Sequence, residues 1–131
     1  MPGSISNYGE NTALDNLLGG TKYVGLFTDA AGITTDQPAA EATTGNCPGY
    51  ERQSVTHAAA SGGSKATNSA VTFTATGVWA TVRYIGVWDA ATAGNLLYWA
   101  RMDVAGAAAE KTLANGEQIS IASGALSINL D

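Results

Sequence analysis

The residues able to do chemistry are few, and each stands alone. Cys47 is the only cysteine and His57 the only histidine. A nucleophilic cysteine needs a base to become thiolate, and His57 is the one available. The two flank a strand-like stretch, and a strand of that length holds its ends apart. We read Cys47 as structural and His57 as a strand-end residue. As metal ligands they supply two donors, where zinc or iron takes about three or four. Ser61-Gly62-Gly63-Ser64-Lys65 has the residue types of a phosphate cradle. Such a cradle needs fixed spacing ahead of a helix. Here the spacing differs and a strand-like stretch follows, so a hairpin loop is expected. Asp29, Asp36 and Glu41 lack the regular acidic spacing of a calcium loop. The 11 acidic residues allow acid–base pairs of glycosidase type to be drawn. No spacing singles one out. We therefore expect no catalytic residue, no cofactor and no metal ligand.

Aromatic residues offer a different chemistry. Trp79, Trp88 and Trp99 could stack on sugar rings. Strand parity sends Trp79 and Trp88 to opposite faces. Trp88 falls in an apolar set and is expected in the core. Trp79 and Trp99 are the ones left for a sugar platform or a subunit interface.

These residues must be held by a thin-cored chain. It has 131 residues and a mass of 13.3 kDa, the size of one domain spanning 1–131. Ala, Gly, Thr and Ser make up about half of it. Net charge is −5 and charged residues are 13%, too few charges for a disordered chain. A thin core gains from burial against another chain, so a homo-oligomer is expected. Six basic residues are scattered singly, which gives no stripe for nucleic acid. No apolar run is long enough for a membrane span, and the first residues do not read as a secretory signal.

Only the start reads as a helix, over about 7–18. Asn7 and Glu10 form a capping pair, Leu14, Leu17 and Leu18 an apolar stripe, and Gly19-Gly20 a stop. From Lys22 the period is two. Strands are expected at 22–28, 50–57, 71–74, 78–89 and 96–104, then around Ile119–Ile121 and Leu126–Leu130, with turns between. Asp29 to Gly49 is a long loop, expected to be functional or to hold a short element. Ala58 to Ser64 reads as a turn region. The whole is mainly β, an antiparallel β-sandwich or jelly-roll-like fold with one N-terminal α-helix. Parity points Leu96, Tyr98, Met102, Ile119, Ile121, Leu126 and Ile128 into one core. It points Leu97 and Trp99 outward. An apolar pair beside Arg101 and Asp103 has the anatomy of an interface centre, so Leu97 and Trp99 are the candidate interface residues.

A series of motifs runs along the chain. It begins with Ser6-Asn7-Tyr8, Glu10-Asn11, Leu14-Asp15 and Leu18-Gly19-Gly20. Tyr23-Val24-Gly25-Leu26-Phe27-Thr28 and Gly49-Tyr50-Glu51-Arg52-Gln53-Ser54-Val55 follow, then Ser69-Ala70-Val71-Thr72-Phe73. The most telling stretch is Ile85-Gly86-Val87-Trp88-Asp89-Ala90-Ala91 with Gly94-Asn95-Leu96-Leu97. Gly116-Glu117-Gln118-Ile119-Ser120-Ile121 and Gly124-Ala125-Leu126-Ser127-Ile128 close it. Their order resembles small virion structural proteins of tailed phages, of the tail-fibre-like or head-decoration accessory kind. The departures are the long loop with Cys47 and the stretch from Gly106 to Glu110.

The resemblance implies a non-enzymatic virion protein, made in the host cytoplasm, whose partners are other virion proteins such as the major capsid or a tail protein. One cysteine suits a reducing cytoplasm. Because the chain is one compact unit, we place it first as a capsid decoration or cement protein. A tail-fibre or tail-tip component is the alternative. A carbohydrate-binding module using Trp79 or Trp99 is the alternative of another class. No nucleic acid and no membrane are expected as partners.

Overall fold

A computed structural model describes residues 3–30, 33, 36–104, 107–108 and 110–130. Helix α1 is Asn7–Leu18. Its N-cap is Ser6, whose side-chain oxygen accepts a 3.1 Å hydrogen bond from the Gly9 amide. This moves the cap one residue back from Asn7, because Ser6 offers the same short acceptor. Glu10 does not reach back to the cap; it is buried against the Gly63 backbone. Leu14 and Leu18 are buried, while Leu17 stays half exposed. Gly20, at φ +73°, turns the chain out of the helix.

Polar bonds fasten α1 to its own chain. Asp15 Oδ1 accepts from Lys65 Nζ at 2.6 Å and from the Ala60 amide at 2.9 Å. Asn11 Oδ1 accepts from the Gly63 amide at 2.9 Å. The segment that resembled a phosphate cradle is thus a tight turn that receives the helix.

Among the described residues ten strands follow: β1 Lys22–Phe27, β2 Gln53–Val55, β3 Ser64–Ala66, β4 Val71–Thr74, β5 Tyr84–Trp88, β6 Leu96–Arg101, β7 Asp103–Val104, β8 Ala107–Ala108, β9 Gln118–Ile121 and β10 Ser127–Asn129. Every pairing among them is antiparallel. One sheet has the order β2-β1-β5-β6, and β10-β3, β4-β9 and β7-β8 are two-stranded ribbons. The mainly β, antiparallel architecture with its N-terminal helix is the one the sequence implied. The second layer is made of ribbons rather than a continuous sheet.

Several boundaries differ from the sequence reading, for physical reasons. The strand expected over 78–89 starts only at Tyr84. Upstream, the Trp79 amide donates to Leu113, Ala80 to Asn46 and Val82 to Lys111, so the bonds go to two separated segments and no continuous ladder forms. The strand expected over 96–104 splits at Met102, whose amide donates to the Arg83 carbonyl. Asp103–Val104 then leaves the sheet to pair with Ala107–Ala108. The strand expected over 50–57 shortens to Gln53–Val55 because Tyr50 and Arg52 are drawn to Glu41. β3 lies partly in the expected turn region. It carries no apolar alternation, since its buried side chain is Lys65, paired with Asp15.

The main core lies between one face of the sheet and the β4–β9 ribbon. Val24, Leu26, Ile85, Val87 and Tyr98 meet Val71, Phe73, Ile119 and Leu126 there. A smaller cluster of Phe27, Tyr84 and Trp88 covers the other face, with Ile33, Leu96 and Trp99 packed against it. Of the expected core set, Tyr98, Ile119 and Leu126 are buried, and Met102, Ile121 and Ile128 pack partly buried on the same core. Leu96 does not join them. Val87 pairs with Tyr98 but Trp88 pairs with Leu96, leaving Leu97 as an extra residue on β6. This bulge breaks strict alternation. It places Leu96 on the Trp88 face and Leu97 against the main core, which corrects the outward direction expected for Leu97.

Candidate functional site

The densest polar–aromatic arrangement is centred on Trp88. Its ring lies across two backbone glycines, Gly25 of β1 and Gly86 of β5. A Cβ on Gly25 would meet the Trp88 ring at 2.6 Å and would also strike the Tyr50 hydroxyl. A Cβ on Gly86 would meet Leu96 at 2.7 Å and Phe27 at 2.8 Å. Glycine at these paired positions is therefore a close-approach requirement. Phe27 stacks on Trp88 with ring centroids 5.1 Å apart, and the Arg52 guanidinium sits over the ring 4.1 Å from its centroid.

Arg52 is the hub of the polar part. Its Nε and Nη2 each donate to a different oxygen of Glu41 at 2.8 Å. Its Nη1 donates to the carbonyls of Ala90 at 2.8 Å and Ala93 at 2.7 Å. The Tyr50 hydroxyl donates to Glu41 at 2.7 Å and accepts from the Leu26 amide at 3.1 Å. The Glu41 hydrogen bond holds the Arg52 guanidinium protonated above its ordinary range. Burial, and then the Glu41 carboxylate, push the Tyr50 hydroxyl far up. The Phe27–Glu41 bridge and the Ala42 amide donating to Leu26 bring the long loop onto the edge of β1. One guanidinium thus joins the long loop, the sheet face and the 89–95 turn. Sequence reasoning missed this unit. Glu41 and Arg52 lie far apart along an irregular stretch, so no period pairs them.

The residues singled out from sequence do not gather. Cys47 is buried and free, and burial pushes its thiol pKa up. His57 Nε2 shares a 2.8 Å hydrogen bond with the Tyr98 hydroxyl rather than meeting Cys47. Asp29 accepts the amides of Ala39 and Ala40, and Glu41 is held by Arg52 and Tyr50. Among the described residues no three His, Cys, Asp or Glu side chains gather as a metal site, and no helix is long and apolar enough to cross a membrane. Trp79 is 2% exposed and its indole donates to the Pro48 carbonyl at 2.7 Å. That removes it from any surface sugar platform.

Two concave surfaces flank β6. One, of about 300 Å³, is lined by Asp36, Gln37 and residues Leu96 to Trp99. Leu97 and Trp99 both reach it, although they pack on different cores. Trp99 meets Tyr84 edge-on at 5.7 Å. The other is a groove of about 520 Å³ between the ends of β6 and β9, with Ile85, Ala100, Met102, Ile119, Ile121 and Leu126 in its lining. Neither surface brings a nucleophile and base together. The groove between β6 and β9 has the mixture of apolar and polar lining that suits contact with another protein, whereas the surface at Asp36 and Gln37 is mainly polar.

Residues 4–129 match the family model described as podophage GP4 fiber I protein gp80. The chain belongs to this family. It is a structural protein of a tailed-phage virion and associates there with other virion proteins. No curated protein matches it. The fibre I family match covers α1, all ten strands and both surfaces beside β6.

Proposed function

We propose that this chain is a non-enzymatic subunit of a tail fibre, synthesised in the host cytoplasm and held in the particle through the edge of β6. The observation that carries this reading is the fibre I family match over residues 4–129. It moves the preference from capsid decoration, our first placement, to the tail-fibre alternative. The compactness that suggested a decoration protein suits a fibre equally, because small subunits joined head to tail build long assemblies. Arg52 supports a scaffolding role: it locks two loops to the sheet and offers no substrate a free polar group. The Leu97–Trp99 edge is the proposed contact with a neighbouring virion subunit, with Leu96 now beside Trp99. The test is to separate heads from tails of purified particles and quantify peptides of this chain in each fraction. Recovery with tails is expected. Recovery with heads would restore the decoration placement, and absence from both would overturn the virion role.

A further inference from the structure

β6 is the last strand of the four-stranded sheet, and among the described residues no strand lies along its outer edge. The direction of its backbone follows from the bonds around it. The Met102 amide donates to the Arg83 carbonyl just ahead of β5. Met102, Ala100 and Tyr98 therefore face β5, and the N–H and C=O groups of Trp99 and Arg101 between them point outward. The far side of the sheet agrees. The Leu26 carbonyl accepts from the Ala42 amide on the side away from β5, which leaves Gly25 and Phe27 to bond Gly86 and Tyr84, and leaves Ile85 and Val87 for β6. An edge strand with outward donors and acceptors is a template for one more strand.

The side chains along this edge carry a charge pattern that fits its own copy. Trp99 pairs with Gly86 and Arg101 with Tyr84, so both stand on the face of the Phe27–Tyr84–Trp88 cluster. Asp36 lies on that face too, beside the other end of β6, where it lines a shared surface with Leu96 to Trp99. Asp36 and Arg101 are both exposed, and neither has an ion-pair or hydrogen-bond partner among the described residues. Arg52, Lys65 and Arg83 by contrast each hold a carboxylate. A strand that pairs antiparallel with its own copy reverses the order of the ends. It brings the cation at one end of β6 to the carboxylate at the other end of its copy, on the same face of the sheet.

We propose that two copies of this chain join through their β6 edges, antiparallel about a two-fold axis that passes between the two Trp99 residues. The inference rests on the reading of the β6 edge as a subunit contact, and it names the neighbour as a second copy. In this register each Trp99 amide donates to the other Trp99 carbonyl, and the two indoles lie side by side. Arg101 stands opposite Leu97 of the other copy, beside its Asp36. The two four-stranded sheets become one. A two-fold contact closes on itself, so the purified chain stops at a dimer. Sedimentation velocity of the full chain across a concentration series should show that dimer. Arg101→Asp and Asp36→Arg should each weaken it roughly tenfold, because each sets two like-charge pairs across the axis. Both positions are exposed, so the circular dichroism of each variant should match the parent. Mixing the two variants should restore a dimer, since the mixed pair regains both ion pairs. Trp99→Cys should form a disulfide-linked dimer on oxidation, because residues opposed in a hydrogen-bonded antiparallel pair have Cα atoms about 5.5 Å apart, within disulfide range. Cys47 is buried and offers no competing thiol. A monomeric parent, a mixture no more associated than its components, or a dimeric parent whose Trp99→Cys variant gives no cross-link would overturn the pairing. A different virion protein on the β6 edge gives the first of these results with the chain still recovered in tails. Absence of the chain from particles would instead overturn the reading beneath it.

Discussion

Replacing Arg52 with Met should be among the most destabilising single changes outside the main core. The Arg52 side chain is 7% exposed and its partner Glu41 28%. Removing one member of a buried, hydrogen-bonded pair costs about 3–5 kcal/mol, because the other charge is left without its partner. Glu41 keeps some water and the Tyr50 hydroxyl, which places the loss near the lower end. The contact with Trp88 adds about 0.5–1 kcal/mol. Methionine preserves much of the apolar stem, so the total is about 3–4 kcal/mol. At about 2.1 cal/mol/K of unfolding entropy per residue, this corresponds to a fall in Tm of roughly 11–15 °C. Calorimetry of Arg52→Met, Glu41→Gln and the double variant measures it. The double variant should be distinctly less destabilised than the sum of the single ones. Hydrogen exchange should also quicken across residues 89–95, since the Ala90 and Ala93 carbonyls lose their shared donor. A fall below about 3 °C, or strict additivity, would refute the role given to Arg52.

Gly86→Val should destabilise strongly, because even a Cβ meets Leu96 and Phe27 below 3 Å; thermal melting checks it, and a Tm within a degree or two of the parent would contradict the packing of Trp88. Trp99→Ala should weaken association with other subunits by roughly 2 kcal/mol or more if Trp99 anchors a contact. A loss confined to the melting temperature would assign it to the Tyr84 cluster instead. Burial, helped by Lys65 and Lys22, lowers the His57 pKa below its ordinary 6.5. The neutral ring is favoured in the folded state, so this stability is present above pH 6.5 and lost as pH falls through the folded pKa. Tm should therefore drop between pH 7.5 and 5.5, and His57→Gln should flatten that slope. Asp15, lowered mainly by its hydrogen bond from Lys65, and Asp89, lowered by Asn95, act in a separate window. Their contribution is present above about pH 4 and is lost on further acidification.

The helix, β1, β4 and β9 were legible because each combines a clear period with a turn or cap residue. Val71 and Phe73 alternate with threonines, and the structure buries the first pair and exposes the second. β6 was misread at its end, which stops at Arg101, and at the bulge of Leu97, which sent Leu96 to the opposite face. Alternation has no memory of an inserted residue, so parity counted from Tyr98 fails on the far side of it. β3 was invisible because its inward residue is a lysine neutralised by a helix carboxylate. The Arg52–Glu41–Trp88 unit was hidden for a related reason. Its members come from a loop, a strand entrance and a strand end, and only folding brings them together. Trp79 looked available from composition, but the Pro48 carbonyl that takes its indole proton is not visible in any spacing.

Cryo-electron microscopy of the intact virion tests the central claim most directly. The expected result is density on a tail-attached fibre that fits the four-stranded sheet, with α1 on the 60–65 turn and neighbouring subunits against the edge of β6. Density for this fold on the head shell with none on the tail, or its absence from the particle, would contradict the account.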